Sequence, residues 1–137
     1  LSKLEELKKF IDETVTPDDL IIAILSNIKH DYIPKDPGII HRAIFELKQK
    51  EEFNELLDEF SFDTSGILPF SDLLDTVLFR LETSCILGTL NPRYEKYELS
   101  KEKKEQLFKR TSEKLSAKLP IIAELSGQFE ALVCMQN

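Results

Sequence analysis

Apolar residues recur along the chain mainly at three- and four-residue intervals, the spacing of helices with one buried face. Leu4, Leu7, Phe10 and Ile11 predict a short amphipathic helix from Ser2 to about Glu13. Thr16-Pro17-Asp18-Asp19 then forms a strong helix start. Thr16 can cap, Pro17 suits the first helical position, and two acids sit where the helix dipole favours negative charge. This helix continues through Leu20, Ile21, Ile24, Leu25 and Ile28 to near Lys29, and so many apolar positions predict that it is central and buried. His30 to Asp36, with Pro34 inside it, reads as a loop. Asp36-Pro37 repeats the cap-and-proline start, and Ile39, Ile40, Ala43, Ile44 and Leu47 predict another helix. Charged residues from Lys48 to Glu52 mark a turn or a solvated continuation, before Phe53, Leu56 and Leu57 give a short fourth helix.

The pattern then changes. Phe60-Ser61-Phe62 alternates as a short strand does, and Asp63-Thr64-Ser65-Gly66 is a turn cluster. Pro69 to Thr83 reads as a central helix with Phe70, Leu73, Leu74, Val77, Leu78 and Leu81 inward. Asp72, Asp75, Thr76, Phe79, Glu82 and Thr83 point away. Cys85–Leu90 and Arg93–Leu99 are strand-like runs joined near Asn91-Pro92, a hairpin. Ser100 caps a long helix to about Lys118, with Leu107, Phe108, Thr111 and Leu115 inward. Pro120 breaks or restarts it, and Ile122, Leu125, Phe129 and Leu132 form the stripe of a last helix, which Gly127 weakens.

A helix running into a hairpin predicts a mostly α (α+β) fold. Its core, about residues 37–100, is of winged helix-turn-helix type, with a small antiparallel sheet made from the Phe60 strand and the hairpin. Flanking helices occupy 1–29 and 101–137, all within a single domain of 137 residues. The residues Phe60-x-Phe62, Gly66, Pro69-Phe70-Ser71, Leu74, Leu78, Leu81-Glu82 and Ile86-Leu87 resemble the winged-helix core of SocA-like antitoxin (Panacea) domains and related uncharacterised prokaryotic proteins. Those often carry a Gly-Pro-Tyr-Ser-like segment, a leucine helix and then Gly-Leu-Ile. Pro69 to Leu87 aligns without a gap, although Cys85 stands where that pattern has glycine and Gly66 lies farther from Pro69. The resemblance implies a winged helix and, at the level of role, a regulatory or antitoxin-like module.

Charge narrows the choice of partner. The chain carries −7 overall, which disfavours non-specific nucleic-acid binding, yet seven basic and three acidic residues between 101 and 118 make that stretch +4. On the central helix, Asp72, Asp75 and Glu82 would face phosphates if the helix entered a DNA groove, and Arg80 is its one base. Phe79, an aromatic among acids, is the natural anchor of a protein contact. Asp72, Asp75, Phe79 and Glu82 are therefore the candidate partner-binding residues, weighed against simple solvation of the acids and packing of Phe79 beneath a terminal helix. Arg93, Lys96, Lys103, Arg110 and Lys114, with Lys118, are the candidate phosphate-binding set, weighed against a solvated flank that balances the acidic body. Ile122, Leu125, Phe129 and Leu132 are the candidate contact of a homodimer through the C-terminal helix, or else close the chain's own core.

Enzymatic motifs are missing from the sequence. His30 and His41 are its two histidines, with no HExxH, paired CxxC or nucleophile–histidine spacing, and the four glycines are scattered. No metal, cofactor or catalytic residue is expected. Cys85 and Cys134, far apart in apolar surroundings, read as reduced buried thiols. No apolar run nears the ~18 residues of a membrane span and no basic-then-apolar leader opens the chain, so a cytoplasmic protein without membrane contact is expected. The preferred function is a non-catalytic regulatory or antitoxin-like module acting through an unknown protein partner. The alternative is a DNA-binding transcription regulator that uses the hairpin wing and the basic helix 101–118.

Overall fold

Side-chain caps mark where most of the helices begin. The computed structural model describes residues 16–84, 86–88, 96–113 and 115–134, together with Pro37 at the level of its backbone. The helix expected at Ser2–Glu13 and the hairpin turn near Asn91-Pro92 lie outside these residues. Helix α1, Pro17–Ser26, opens on a reciprocal capping box. The Asp19 N–H donates to Thr16 Oγ1 at 3.1 Å, and the Thr16 N–H donates to Asp19 Oδ2 at 3.3 Å. Leu20 to Leu25 are all buried, as expected for a helix surrounded by other elements. Its last turn ends three residues short of Lys29, where Ser26 and Asn27 side chains return to the Ala23 carbonyl.

The segment read as a loop holds strand β1, Tyr32–Pro34. It pairs antiparallel with β2, Lys96–Glu98, in the register Tyr32↔Glu98, Ile33↔Tyr97 and Pro34↔Lys96. Pro34 is tolerated because, among the described residues, β1 has a strand on one side only. Ile33 and Tyr97 face the core. Gly88 bridges Glu98 from the opposite edge of β2, with backbone bonds of 3.0 and 2.7 Å.

Helix α2, Pro37–Lys48, is capped by Asp36, which accepts the Gly38 N–H at 2.8 Å. The short α3, Glu51–Asn54, sets Phe53 into the core. The Phe60–Phe62 strand does not form. Phe60 is buried at the end of a series of turns, and Phe62 meets Phe45 edge-to-face at 5.4 Å. The nearby pairing is the single bridge Asp63↔Phe70, which closes a turn held by Ser65 donating to Asp63. The small sheet is therefore built from β1, not from the Phe60 segment. Alternation over three residues cannot identify a strand whose partner is elsewhere in the chain.

The central helix α4 spans Asp72–Thr83, with Leu74, Val77, Leu78 and Leu81 buried. Ser71 Oγ accepts the Leu74 N–H at 3.2 Å, so Pro69 and Phe70 precede the helix. Helix α5, Lys101–Ser112, starts at the Ser100 cap and stops before the expected Lys118. A 3₁₀ turn, Ser116–Lys118, leads into α6, Leu119–Cys134, whose first turn accommodates Pro120. Helix α1 packs against α4, α5 and α6, and α6 also covers α2. The described residues thus form a mostly helical fold of six α-helices and a small two-stranded antiparallel sheet. None of these helices is long and apolar enough to cross a membrane.

Ile122, Leu125 and Phe129 are in the chain's own core, and Leu132 is half-buried. Moving the first three to a dimer contact would expose the core, at about 1.5–3 kcal/mol per side chain. The stripe they form is therefore an intrachain face and not a dimer surface. A bare apolar stripe predicts burial without naming the neighbour. Cys134 is half-buried, its thiol pKa raised by burial and then by the charge of Glu130. Cys85 lies outside the described residues.

Candidate functional site

Helix α4 presents its polar side outward as its periodicity predicts. Asp72, Asp75 and Phe79 are exposed on one stripe, Phe79 to 64%, so the phenylalanine is not packed beneath a terminal helix. Glu82 continues the stripe but is half-buried, and its carboxylate accepts from Lys35 Nζ at 2.8 Å. The same ammonium lies 5.9 Å from the Tyr97 ring centroid, joining the end of the stripe to the sheet. Burial, then the charges of Glu82 and Asp75, push the Tyr97 hydroxyl up to about 12.

Arg80, the helix's one base, does not serve this face. Its guanidinium grips Asp18 of α1 through Nε at 3.0 Å and Nη2 at 2.6 Å, a bidentate pair. What remains outward on α4, besides Thr76 and Thr83, is acidic and aromatic.

The N-terminus of α4 is built on a histidine that belongs to no sequence motif. His41 of α2 is buried, and its Nδ1 accepts the Ser71 N–H at 3.0 Å. The proton of the neutral ring therefore sits on Nε2, which has no hydrogen-bond partner among the described residues. Burial lowers the His41 pKa, opposed by the charge of Asp75. Phe70 stacks on the ring at 4.7 Å and 4°, and is 41% exposed instead of facing inward from the helix. The signal available in the sequence was position: His41 adjoins the Ile40, Ile44 and Leu47 stripe.

The candidate phosphate-binding residues are scattered. Lys96 is on β2 with its ammonium 5.6 Å from the Tyr32 ring centroid. Lys103 and Arg110 are two turns apart on α5, and Arg93 and Lys114 lie outside the described residues. Arg110 borders a surface cavity of about 470 Å³ that Asp18, Asp19 and Arg80 also line, so an entering phosphate would meet two carboxylates. Lys118 lines a separate cavity with Glu55, Asp58 and Glu59.

His30 and His41 do not converge on a common site. His30 contacts Glu130 through Nδ1, and the Lys29 and His30 N–H groups each donate to the same carboxylate oxygen at 2.8 Å. Burial pushes the Glu130 pKa up, but the hydrogen bonds from His30 and the Lys29 backbone outweigh it and hold it below the usual value. Among the described residues no three His, Cys, Asp or Glu side chains are grouped to hold a metal ion. Comparison with known proteins found no matching family model, curated protein or solved structure.

Proposed function

We propose that the chain is a non-catalytic regulatory, antitoxin-like module on a winged-helix scaffold, acting through a protein bound to the outward face of α4. The observation that carries this reading is Phe79, largely exposed between acids on a helix whose base is engaged by Asp18. An aromatic within a polar rim suits a protein contact, whereas a groove-reading helix needs cations for phosphates. The order of elements supports the scaffold: α1, β1, α2, α4, then Gly88 and β2, with β2 between β1 and Gly88. A winged helix would carry its elements in this order, with α4 at the recognition position. The likeness of the Pro69–Leu87 segment to SocA-like domains agrees with it.

That same order favours the second reading, a DNA-binding regulator using the wing with Lys103 and Arg110. Co-purification with the product of the adjacent gene, run beside a DNA-shift assay, separates the two. The protein reading expects Phe79→Ala to keep its helical circular dichroism and weaken partner retention by at least about tenfold. A salt-sensitive DNA shift abolished by Lys103→Glu plus Arg110→Glu, with Phe79→Ala without effect on partner retention, would overturn it.

A further inference from the structure

A second surface, on the α1–α5 side of the molecule, has the opposite charge. Between the end of α1 and helix α5 runs an open groove of about 850 Å³. Lys101, Glu105, Phe108 and Ser112 fall on one stripe of α5 and line it. Phe108 was expected to face inward from α5; it is 40% exposed and forms the apolar wall, with buried Ile28 at the floor. Lys29, Lys101 and Lys109 rim the groove, and none has a side-chain partner among the described residues.

The floor is held from two sides. Lys104 is buried and donates to the carbonyls of Ile28, Lys29 and His30 at 3.1–3.3 Å, with Asp31 Oδ1 3.3 Å away. Glu130 of α6 takes the N–H groups of Lys29 and His30. The loop between α1 and β1 is thereby fixed before anything binds, which lowers the ordering cost of association. Asp31 is matched by Lys104, so three rim lysines face only Glu105, and the groove is positive on a chain of net charge −7.

We infer that this groove docks an acidic peptide segment of another protein, with an apolar side chain against Phe108 and carboxylates on either side. Lys101 lies about 10 Å from Phe108 along the helix axis and Lys109 is its chain neighbour, so cations stand at two separate points around the apolar wall. Two separated cations and an open trough suit a chain with several carboxylates. A single-headed amphiphile would use one end and leave its tail in water. The inference is independent of the role given to α4.

The test is calorimetric titration of the protein with the unlabelled peptide acetyl-Glu-Glu-Leu-Phe-Glu-Glu-amide. Saturable binding at about 10–100 μM in low salt is expected. Lys101→Glu plus Lys109→Glu should weaken it by at least about tenfold, and Phe108→Ser by a similar factor. Arg42→Glu plus Lys118→Glu, an equal charge change elsewhere, should leave it intact. All three variants change exposed side chains, and circular dichroism checks that each is folded. The inference is overturned by any of three results: no saturation below about 1 mM, equal affinity for the peptide with glutamine at every glutamate, or equal affinity for the charge-reversed groove. Binding of decanoate or oligothymidylate in the groove, where the peptide fails, would likewise reassign it.

Discussion

The α4 face and the α5 groove each centre on an exposed phenylalanine, and they differ in how the surrounding charge is managed. On α4 the cations are withdrawn: Arg80 is held by Asp18 and Lys35 by Glu82, leaving Asp72 and Asp75 around Phe79. On α5 the buried cation is withdrawn and the rim cations are left, because Lys104 turns into the carbonyls of the α1–β1 loop. Composition already tips α4 acidic and the α5 stretch basic. Internal pairing decides which charges reach a partner, and it leaves one ridge acidic and one trough basic.

The strongest way to break the contrast is Lys104→Ala. Removing the ammonium leaves three carbonyls and Asp31 without their donor, and the expected loss is about 3 kcal/mol of unfolding free energy. Urea denaturation measures it, and a loss within the error of the wild-type curve would show that Lys104 does not hold the loop. At urea concentrations where the variant remains folded, groove binding should fall while partner capture by α4 persists.

On the other side, His41→Ala removes the acceptor of the Ser71 N–H and the ring stacked on Phe70, for an expected cost of about 2 kcal/mol. The pH dependence has a definite sign. A lowered histidine pKa means that the unfolded chain binds the proton first, so stability is full above about pH 6.5 and declines as pH falls toward the folded pKa. Denaturant midpoints across that window should fall with pH in the wild type and fall less in His41→Ala. Equal pH slopes in the two proteins would remove His41 as the source.

The smallest expected effect tests the support common to both surfaces. Gly127 lies inside α6, exposed, with nothing within 4 Å of where a Cβ would stand. Gly127→Ala should therefore stabilise the fold by about 0.5–1 kcal/mol and leave both binding activities unchanged. A lower melting temperature would contradict the open environment of that position.

Local signals carried much of the helical framework. Thr16, Asp36 and Ser100 cap at the expected starts, Ser71 caps α4 inside the segment expected to be helical from Pro69, and the phase of α4 places Phe79 outward. Features that depend on distant partners were not legible. Strand β1 exists through pairing with β2, more than sixty residues later, and its Pro34 argues locally for a loop. Phe108 shares the helical spacing of core residues, yet it borders a groove because the α1–β1 loop stops short of covering it. The α4 face was readable because it lies on one helix; the α5 groove was not, because Ile28 and Lys29 join it across about seventy residues of chain.

The loop between α1 and β1 also ties together parts of the chain made far apart in time. Its carbonyls are held by α5 and its amide hydrogens by α6, so the loop is fastened to both helices at once. Although Lys29 and His30 are solvent-exposed, their amides should exchange with the cooperative opening of α6 and not with the rapid fluctuations of a surface loop. The C-terminal helices thus act as a late-arriving clasp that converts an early turn into part of the folding unit.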